Sequence, residues 1–275
     1  MLSSEAHSHA ATDLQTTRID PWEFRHAAIT DVGQRRDHNE DFYLVVPNRK
    51  LFIVADGMGG HAAGEVASRL AAETIAAYFE EVQLSTDDHN GASPHLVRAI
   101  EIANASIHDE ARRRASQRGM GTTAVALLFS GDRAHWAHVG DSRLYRLRGD
   151  ELTPLTRDHS LLEQTLATQN FTDAEARDFA AHFPYKNILT RGLGTNPKVD
   201  VDVDSAPVRH EDLFVMTTDG LHDTIDDDEI ARILMRHRPH WSTACDSLVH
   251  AANRAGGPDN ITIACVEARA LHNAR

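Results

Sequence analysis

Cysteine is scarce in this chain: its 275 residues include only Cys245 and Cys265. Two thiols cannot build a disulfide framework. Both lie in apolar patterns, so they read as buried free thiols of a protein kept in a reducing compartment. Long hydrophobic runs are missing too, since no stretch approaches the roughly 18 apolar residues of a membrane helix. The first 22 residues carry Glu5 and Asp13 but no basic start and no apolar segment, which excludes a secretory signal. These absences point to a cytoplasmic protein with a loose N-terminal tail, residues 1–22, ending near Pro21 and Trp22. Positive charge is also short, with 28 Lys+Arg against 41 Asp+Glu and a formal net charge of −13. A nucleic-acid binder needs a net basic face to displace counterions, so that class is set aside. No repeat or low-complexity stretch interrupts the chain, and the 41% hydrophobic and 25% charged residues are those of a globular protein.

What is present reads as one domain over residues 24–270. His26–Thr30, Phe42–Val46 and Leu51–Ala55 are short apolar or alternating runs of the kind that form strands. Helical spacing follows over residues 63–83 and 94–115, with Pro94 suited to a helix start. Strand patterns return at Thr122–Ser130, Ala134–Val139 and Arg143–Arg148. His135 and His138, three apart on one strand, would face opposite sides and make a poor metal pair. Residues 159–183 are helical and polar, with Thr172-Asp173-Ala174-Glu175 as a capping-box start. Strands at Val199–Val203 and Leu213–Thr217, helices at Asp227–Met235 and Ser242–Ala255, and a strand at Ile261–Val266 complete the pattern. Strands come in runs and helices in pairs, which predicts an α+β fold of antiparallel sheets covered by helix pairs.

The chemistry gathers where aspartates stand just outside apolar strands. Leu51–Ala55 runs into Asp56-Gly57, and Leu213–Thr218 into Asp219-Gly220. Asp259-Asn260 precedes the last strand, Gly140-Asp141-Ser142 joins two strands, and Asn39-Glu40-Asp41 precedes another. A carboxylate at a strand end followed by glycine has a rigid base and a backbone free to bend close to a ligand. Carboxylates converging on one point repel one another unless a cation sits between them. All-oxygen ligation of that kind suits Mg²⁺ or Mn²⁺ better than zinc. Any one of these motifs alone is a turn or a solvated loop.

Their joint order carries more. Arg36-x-x-Asn39-Glu40-Asp41, Val54-Ala55-Asp56-Gly57-Met58-Gly59-Gly60, Gly121-Thr122-Thr123, Gly140-Asp141-Ser142-Arg143, Thr218-Asp219-Gly220 and Gly257-Pro258-Asp259-Asn260 follow one another along nearly the whole chain. This succession resembles the metal-dependent Ser/Thr protein phosphatases of type 2C, and the bacterial branch in particular. The resemblance implies a four-layer αββα sandwich, two antiparallel sheets face to face with helices outside. It implies that Asp56 bridges two Mn²⁺ or Mg²⁺ ions, with the Gly57 carbonyl as a further contact. Asp219 and Asp259 complete one metal site, and Glu40 holds the second with Asp41 close by. Asp141 corresponds to the residue that, with Asp219, holds a third ion. Arg36 matches the phosphate-binding arginine, and a mobile flap falls at about residues 157–197.

The implied reaction is hydrolysis of phosphoserine and phosphothreonine by in-line attack of a metal-bridging hydroxide, without a phosphoenzyme. The absence of a Cys-x5-Arg loop agrees with this. Eukaryotic relatives carry a histidine directly after the first Asp-Gly, where this chain has Met58; His61, three residues on, is the candidate proton donor or substrate contact. The implied partners are phosphorylated Ser/Thr proteins, a cognate Ser/Thr kinase among them. With no appended interaction segment, the expected state is a monomer. Two other readings compete. Gly57-x-Gly59-x-x-Ala62 formally matches a dinucleotide fingerprint, but Asp56 would sit beside the pyrophosphate, and a second helix follows in place of a parallel strand. A catalytically silent phosphatase-like module would have lost a metal ligand, yet Asp56, Asp219 and Asp259 are all present.

Overall fold

The structure, a computed structural model, describes residues 15–19, 22–59, 62–82 and 91–271. In chain order the strands and helices are β1 (Gln15–Ile19), β2 (Trp22–Asp31), β3 (Asp41–Val46), β4 (Leu51–Met58), α1 (Ala62–Glu81), α2 (Ala92–Arg113), β5 (Gly121–Thr122), β6 (Ala124–Ser130), β7 (Arg133–Val139), β8 (Arg143–Arg148) and β9 (Glu151–Pro154). There follow α3 (Leu161–Thr168), α4 (Asp173–His182), β10 (Asp202–Pro207), β11 (Asp212–Thr217), α5 (Asp219–His222), α6 (Asp227–His237), α7 (Trp241–Arg254) and β12 (Ile261–Ala270). One sheet has the order β1-β2-β12-β11-β8-β9 and the other β10-β7-β6-β4-β3, with β5 paired to the end of β4. All the strand pairings within these sheets are antiparallel.

Alternation along the strands explains why two sheets stack. In β4, Leu51 and Ile53 pack under α1 and α2, while Phe52 and Val54 point to the opposite sheet. In β6, Ala124, Ala126 and Leu128 face the helices, and Val125, Leu127 and Phe129 face the sheet. β12 divides the same way, Ile261, Ile263 and Cys265 lying against α6 and α7 and Ala264, Val266 and Ala268 between the sheets. Both faces of these strands are covered, so they read as continuous apolar runs. Phe129 centres the middle layer, with ring centroids 4.3 Å from Phe24, 5.3 Å from Phe214 and 6.1 Å from Phe52. The four-layer αββα sandwich is therefore what the alternation builds. Cys245 and Cys265 are free and buried, as expected.

Some expected boundaries move. Gln15–Ile19, placed in the loose tail, forms an edge strand antiparallel to β2, with Gln15 opposite His26 and Ile19 opposite Trp22. Trp22 itself begins β2 and is buried. The rest of the tail, residues 1–14 and 20–21, lies outside the described residues. Residues 159–183 divide into two short helices, α4 carrying the full Thr172–Glu175 capping box. His135 and His138 do diverge: His135 meets Ser93 of α2 at 2.9 Å, and His138 bonds the Arg157 carbonyl at 2.8 Å. Among the described residues, no helix is long and apolar enough to cross a membrane.

Candidate active site

The two sheets end together at one rim, and the aspartate turns meet there. Arg36, Glu40, Asp56, Gly57, Asp141, Asp219 and Asp259 all line a single cleft of about 510 Å³, together with Met58, Gly59, Thr123, Asn260 and two flap residues, Asn187 and Leu189. Asp56 lies in β4 of one sheet. Asp219 follows β11, and Asp259 precedes β12, of the other. Asp141 sits in the crossover from β7 to β8, which carries the chain between sheets. Asp41, expected close to the metal ligands, is buried and does not itself line the cleft. It stands opposite Asp56 in the β3–β4 register and accepts a hydrogen bond from the Thr218 hydroxyl at 2.8 Å. His61 lies outside the described residues.

Close backbone approach decides why glycine follows Asp56 and Asp219. A Cβ on Gly57 would come within 2.2 Å of the Gly64 carbonyl oxygen, and one on Gly220 within 1.9 Å of the Asn260 carbonyl oxygen. Each Asp-Gly step is therefore pressed against neighbouring backbone, the first turn of α1 for Gly57 and the turn before β12 for Gly220, which no side chain permits. Gly140, at φ +106°, faces Thr123 so closely that a Cβ would meet its side chain at 2.5 Å.

Neutral side chains hold the acids in place. Thr123 Oγ1 accepts from the Asp56 amide at 2.9 Å and bonds Ser142 at 2.6 Å, while the Thr122 hydroxyl donates to the Asp56 carbonyl at 2.8 Å. Asn260 joins the loops around Arg36 and Asp259: its Oδ1 accepts from the Glu40 amide at 2.8 Å, and its Nδ2 donates to the Val32 and His38 carbonyls, each at 2.9 Å. The sequence pattern included Asn260 and Thr123 but gave neither a role. Uncharged residues carry little signal until their partners are known.

Electrostatically the cleft is poised for positive charge. Burial, reinforced by the neighbouring aspartates, raises the Asp141 carboxyl to about 8 and that of Asp219 to about 6. Burial and the same neighbours push Asp56 well above the ordinary carboxylate range. Asp41 is raised to about 7 by burial, against hydrogen bonds from Thr262 and Thr218. Asp219 Oδ1 is buried with no hydrogen-bond partner. The cationic side chain in the lining is Arg36, half exposed at the mouth, where it donates to Asp259 at 2.6 Å. Converging carboxylates, an orphaned buried oxygen and all-oxygen donors fit hard divalent cations.

The flap forms one wall and has its own anchors. The Ser160–Leu189 bridge and the Leu161-to-Ile188 bond of 2.8 Å close its base. Phe171, Phe179, Phe183 and Tyr185 form a chain of rings 5.1 to 6.1 Å apart, an apolar cluster that the polar composition had hidden. Behind the flap, Arg143 grips Asp158 through two bonds of 2.9 and 2.7 Å. The His159 backbone amide donates to the Gly140 carbonyl at 2.9 Å, and the Gly140 amide donates to His159 Nδ1 at 3.1 Å. That bond leaves the proton on Nε2, which faces Asp202 at 3.3 Å. His138, His159 and Asp202 place possible ligand atoms within 4.8 Å of one another. The two rings are stacked, and Arg191 already binds Asp202 at 2.6 Å, so this group reads as a brace.

Comparison with known proteins agrees with this construction. The family model described as Protein phosphatase 2C matches residues 33–256. The protein phosphatase PhpP of Streptococcus pneumoniae is 37% identical over 241 residues, covering 86% of this chain and 95% of that protein. The solved serine/threonine phosphatase of S. agalactiae superposes with a TM-score of 0.80 at 34% identity, over 88% of this chain and 98% of the other. The catalytic domain of the serine/threonine protein phosphatase PstP, solved in complex with two manganese ions, gives a TM-score of 0.77 at 31% identity, over 90% of this chain and 99% of the other. On sequence, fold and the ordered acids at the rim together, this chain belongs to the protein phosphatase 2C family and is a protein phosphatase.

Proposed function

We propose that the chain hydrolyses phosphoserine and phosphothreonine in proteins, with divalent cations, Mn²⁺ or Mg²⁺, held in the acidic cleft. The observation that carries this reading is the convergence of Glu40, Asp56, Asp141, Asp219 and Asp259 on one cleft with Arg36 at its mouth. Asp56, Asp219 and Asp259, with Glu40 and the Gly57 carbonyl, would hold two ions, and Asp141 with Asp219 a third. Bound there, the cations supply Lewis acidity, neutralising phosphoryl oxygens and acidifying water enough for attack near neutral pH.

The chain's own groups do the rest. Arg36 stands where its planar guanidinium can leave Asp259 and grip two phosphoryl oxygens at once, which lysine cannot do. Asn260 and Thr123 keep the Asp259 and Asp56 turns from moving as charge enters. Thr123 is the hydroxyl side chain in the lining, and its oxygen is already bonded to the Asp56 amide and Ser142. Cys245 of α7 and Cys265 of β12 are both buried in the core between helix and sheet. Water is therefore the attacking group, in line with the leaving alkoxide, and no phosphoenzyme forms. Asp41, which does not line the cleft, acts by positioning Thr218 and through it the Asp219 turn.

The deciding experiment is Mn²⁺-dependent hydrolysis of a phosphothreonine peptide, with EDTA and Asp219→Asn as controls. Activity that survives both would rule out the cation-dependent reading. His61 is tested by comparing that peptide with p-nitrophenyl phosphate, whose nitrophenolate leaves unaided. His61→Ala should slow the peptide more; equal slowing would remove it as proton donor.

A further inference from the structure

A second depression, of about 410 Å³, opens beside the catalytic cleft, and its lining has the opposite charge character. Arg112 from the last turn of α2 and Arg118 from the loop before β5 flank it, with His108, Gly119, Gly194 and Thr195. Among the described residues, no carboxylate lines it. Among the described residues neither guanidinium has an ion pair or a side-chain hydrogen bond, although acids outnumber Lys+Arg 41 to 28 over the whole chain. Arg114, two residues from Arg112, shows the contrast: it is paired with Glu110 at 2.8 Å. Gly119 lies at φ +81°, and a Cβ there would meet nothing within 4 Å, so the floor at that point is open.

The depression adjoins the cleft directly. Gly59, a cleft residue, is pressed against Met120, where a Cβ would come within 3.1 Å of the Met120 Cα. Met58, also in the cleft, pairs with Gly121 in the β4–β5 register, and its methyl group lies against Gly192. Gly119 is next to Met120 and Gly194 is two residues from Gly192, spans of at most about 4 and 7 Å along the chain. A peptide whose phosphorylated residue sits among the acids would thus bring a neighbouring side chain, about two or three residues away, over Arg112 and Arg118.

We propose that this depression is an anion subsite for the phosphoprotein substrate, taking an acidic side chain or a second phosphate near the hydrolysed one. The inference rests on the phosphatase reading above and adds a substrate preference to it. Unpaired guanidiniums with no competing carboxylate select anions by complementarity. The acid-rich remainder of the surface repels them, so the preference is confined to the correct offset.

The test uses the full chain with Mn²⁺ and phosphothreonine peptides carrying three glutamates on the N-terminal side, on the C-terminal side, or none. One glutamate-bearing peptide should show a KM roughly three- to tenfold below the neutral one, the gap closing as salt rises. Arg112→Ala with Arg118→Ala should erase that gap and leave p-nitrophenyl phosphate turnover unchanged. Arg113→Ala, which lines a different groove, should keep it. No preference in the unmodified protein, or a preference that survives the double substitution, overturns the subsite. Absence of Mn²⁺-dependent turnover of p-nitrophenyl phosphate as well as of peptide would instead overturn the phosphatase reading.

Discussion

Asp219 shows how far a single carboxylate can be set against the stability of its own fold. Its pKa of about 6 means that ionisation at neutral pH is opposed, by burial first and by Asp259 next. Removing the charge should therefore help the cation-free protein. Asp219→Asn in EDTA should melt roughly 3–6 °C higher than the parent, while losing the rise in melting temperature that Mn²⁺ gives the parent. A lower melting temperature in EDTA would show that the acids do not repel in the folded state. The glycines work the other way. With backbone oxygen 1.9 Å from a would-be Cβ, Gly220→Ala must push the Asp219 and Asn260 loops apart. We expect about 2–3 kcal/mol of destabilisation, read as a fall of roughly 5–10 °C. At this scale the acids and their glycines were legible because Asp-Gly at a strand end is a local pattern. Asn260 was not, because its partners are the backbones of Val32, His38 and Glu40, more than 200 residues away in sequence.

Among the elements, the flap depends on His159 more than on its helices. That one residue exchanges two hydrogen bonds with Gly140 and accepts a third, 2.8 Å long, from the Thr190 amide across the flap's base. His159→Ala would leave the Gly140 amide without its acceptor, at a cost of about 1–3 kcal/mol. Limited proteolysis between residues 170 and 188 should then accelerate. His159→Asn, whose Oδ1 can occupy the Nδ1 position, should restore most of the protection; equal cleavage in both variants would mean that ring packing on His138 is what matters. The flap's position between β9 and β10 could be anticipated, but its ring cluster could not. Phe171, Phe179, Phe183 and Tyr185 follow no single helical period, since the chain turns between α3 and α4 and again after α4. β1 was hidden for a related reason: Gln15–Ile19 is an edge strand of mostly polar residues, specified by the β2 backbone beside it.

For the molecule as a whole, two opposing titrations shape stability. Burial, with help from His138 and Arg191, lowers His159 to about 4. The unfolded chain binds that proton more readily, so the contribution is complete above about 6.5 and is lost as pH falls toward 4. Asp219, Asp41 and Asp141 are raised from the ordinary carboxylate range to about 6, 7 and 8, so their penalty begins near pH 4 and is complete above those values. In EDTA the three carboxylates outweigh the one imidazole, so the melting temperature should fall as pH rises from about 5 to 8, and Mn²⁺ should flatten that decline. A monotonic rise to pH 8 in EDTA would contradict this. The layer order itself was readable from runs of strands and pairs of helices. The strand order was not, because β12 lies between β2 and β11 and pairs the last strand with one near the start.

The crossover at Gly140-Asp141-Ser142 and the division of the acids between sheets have a mechanical consequence. Asp56 belongs to one sheet, Asp219 and Asp259 adjoin the other, and between them like charges push the two layers apart. A cation seated there would act as a rivet through both layers. Its signature would be slower amide exchange at the rim ends of β4 and β11 together, though no backbone hydrogen bond links those strands.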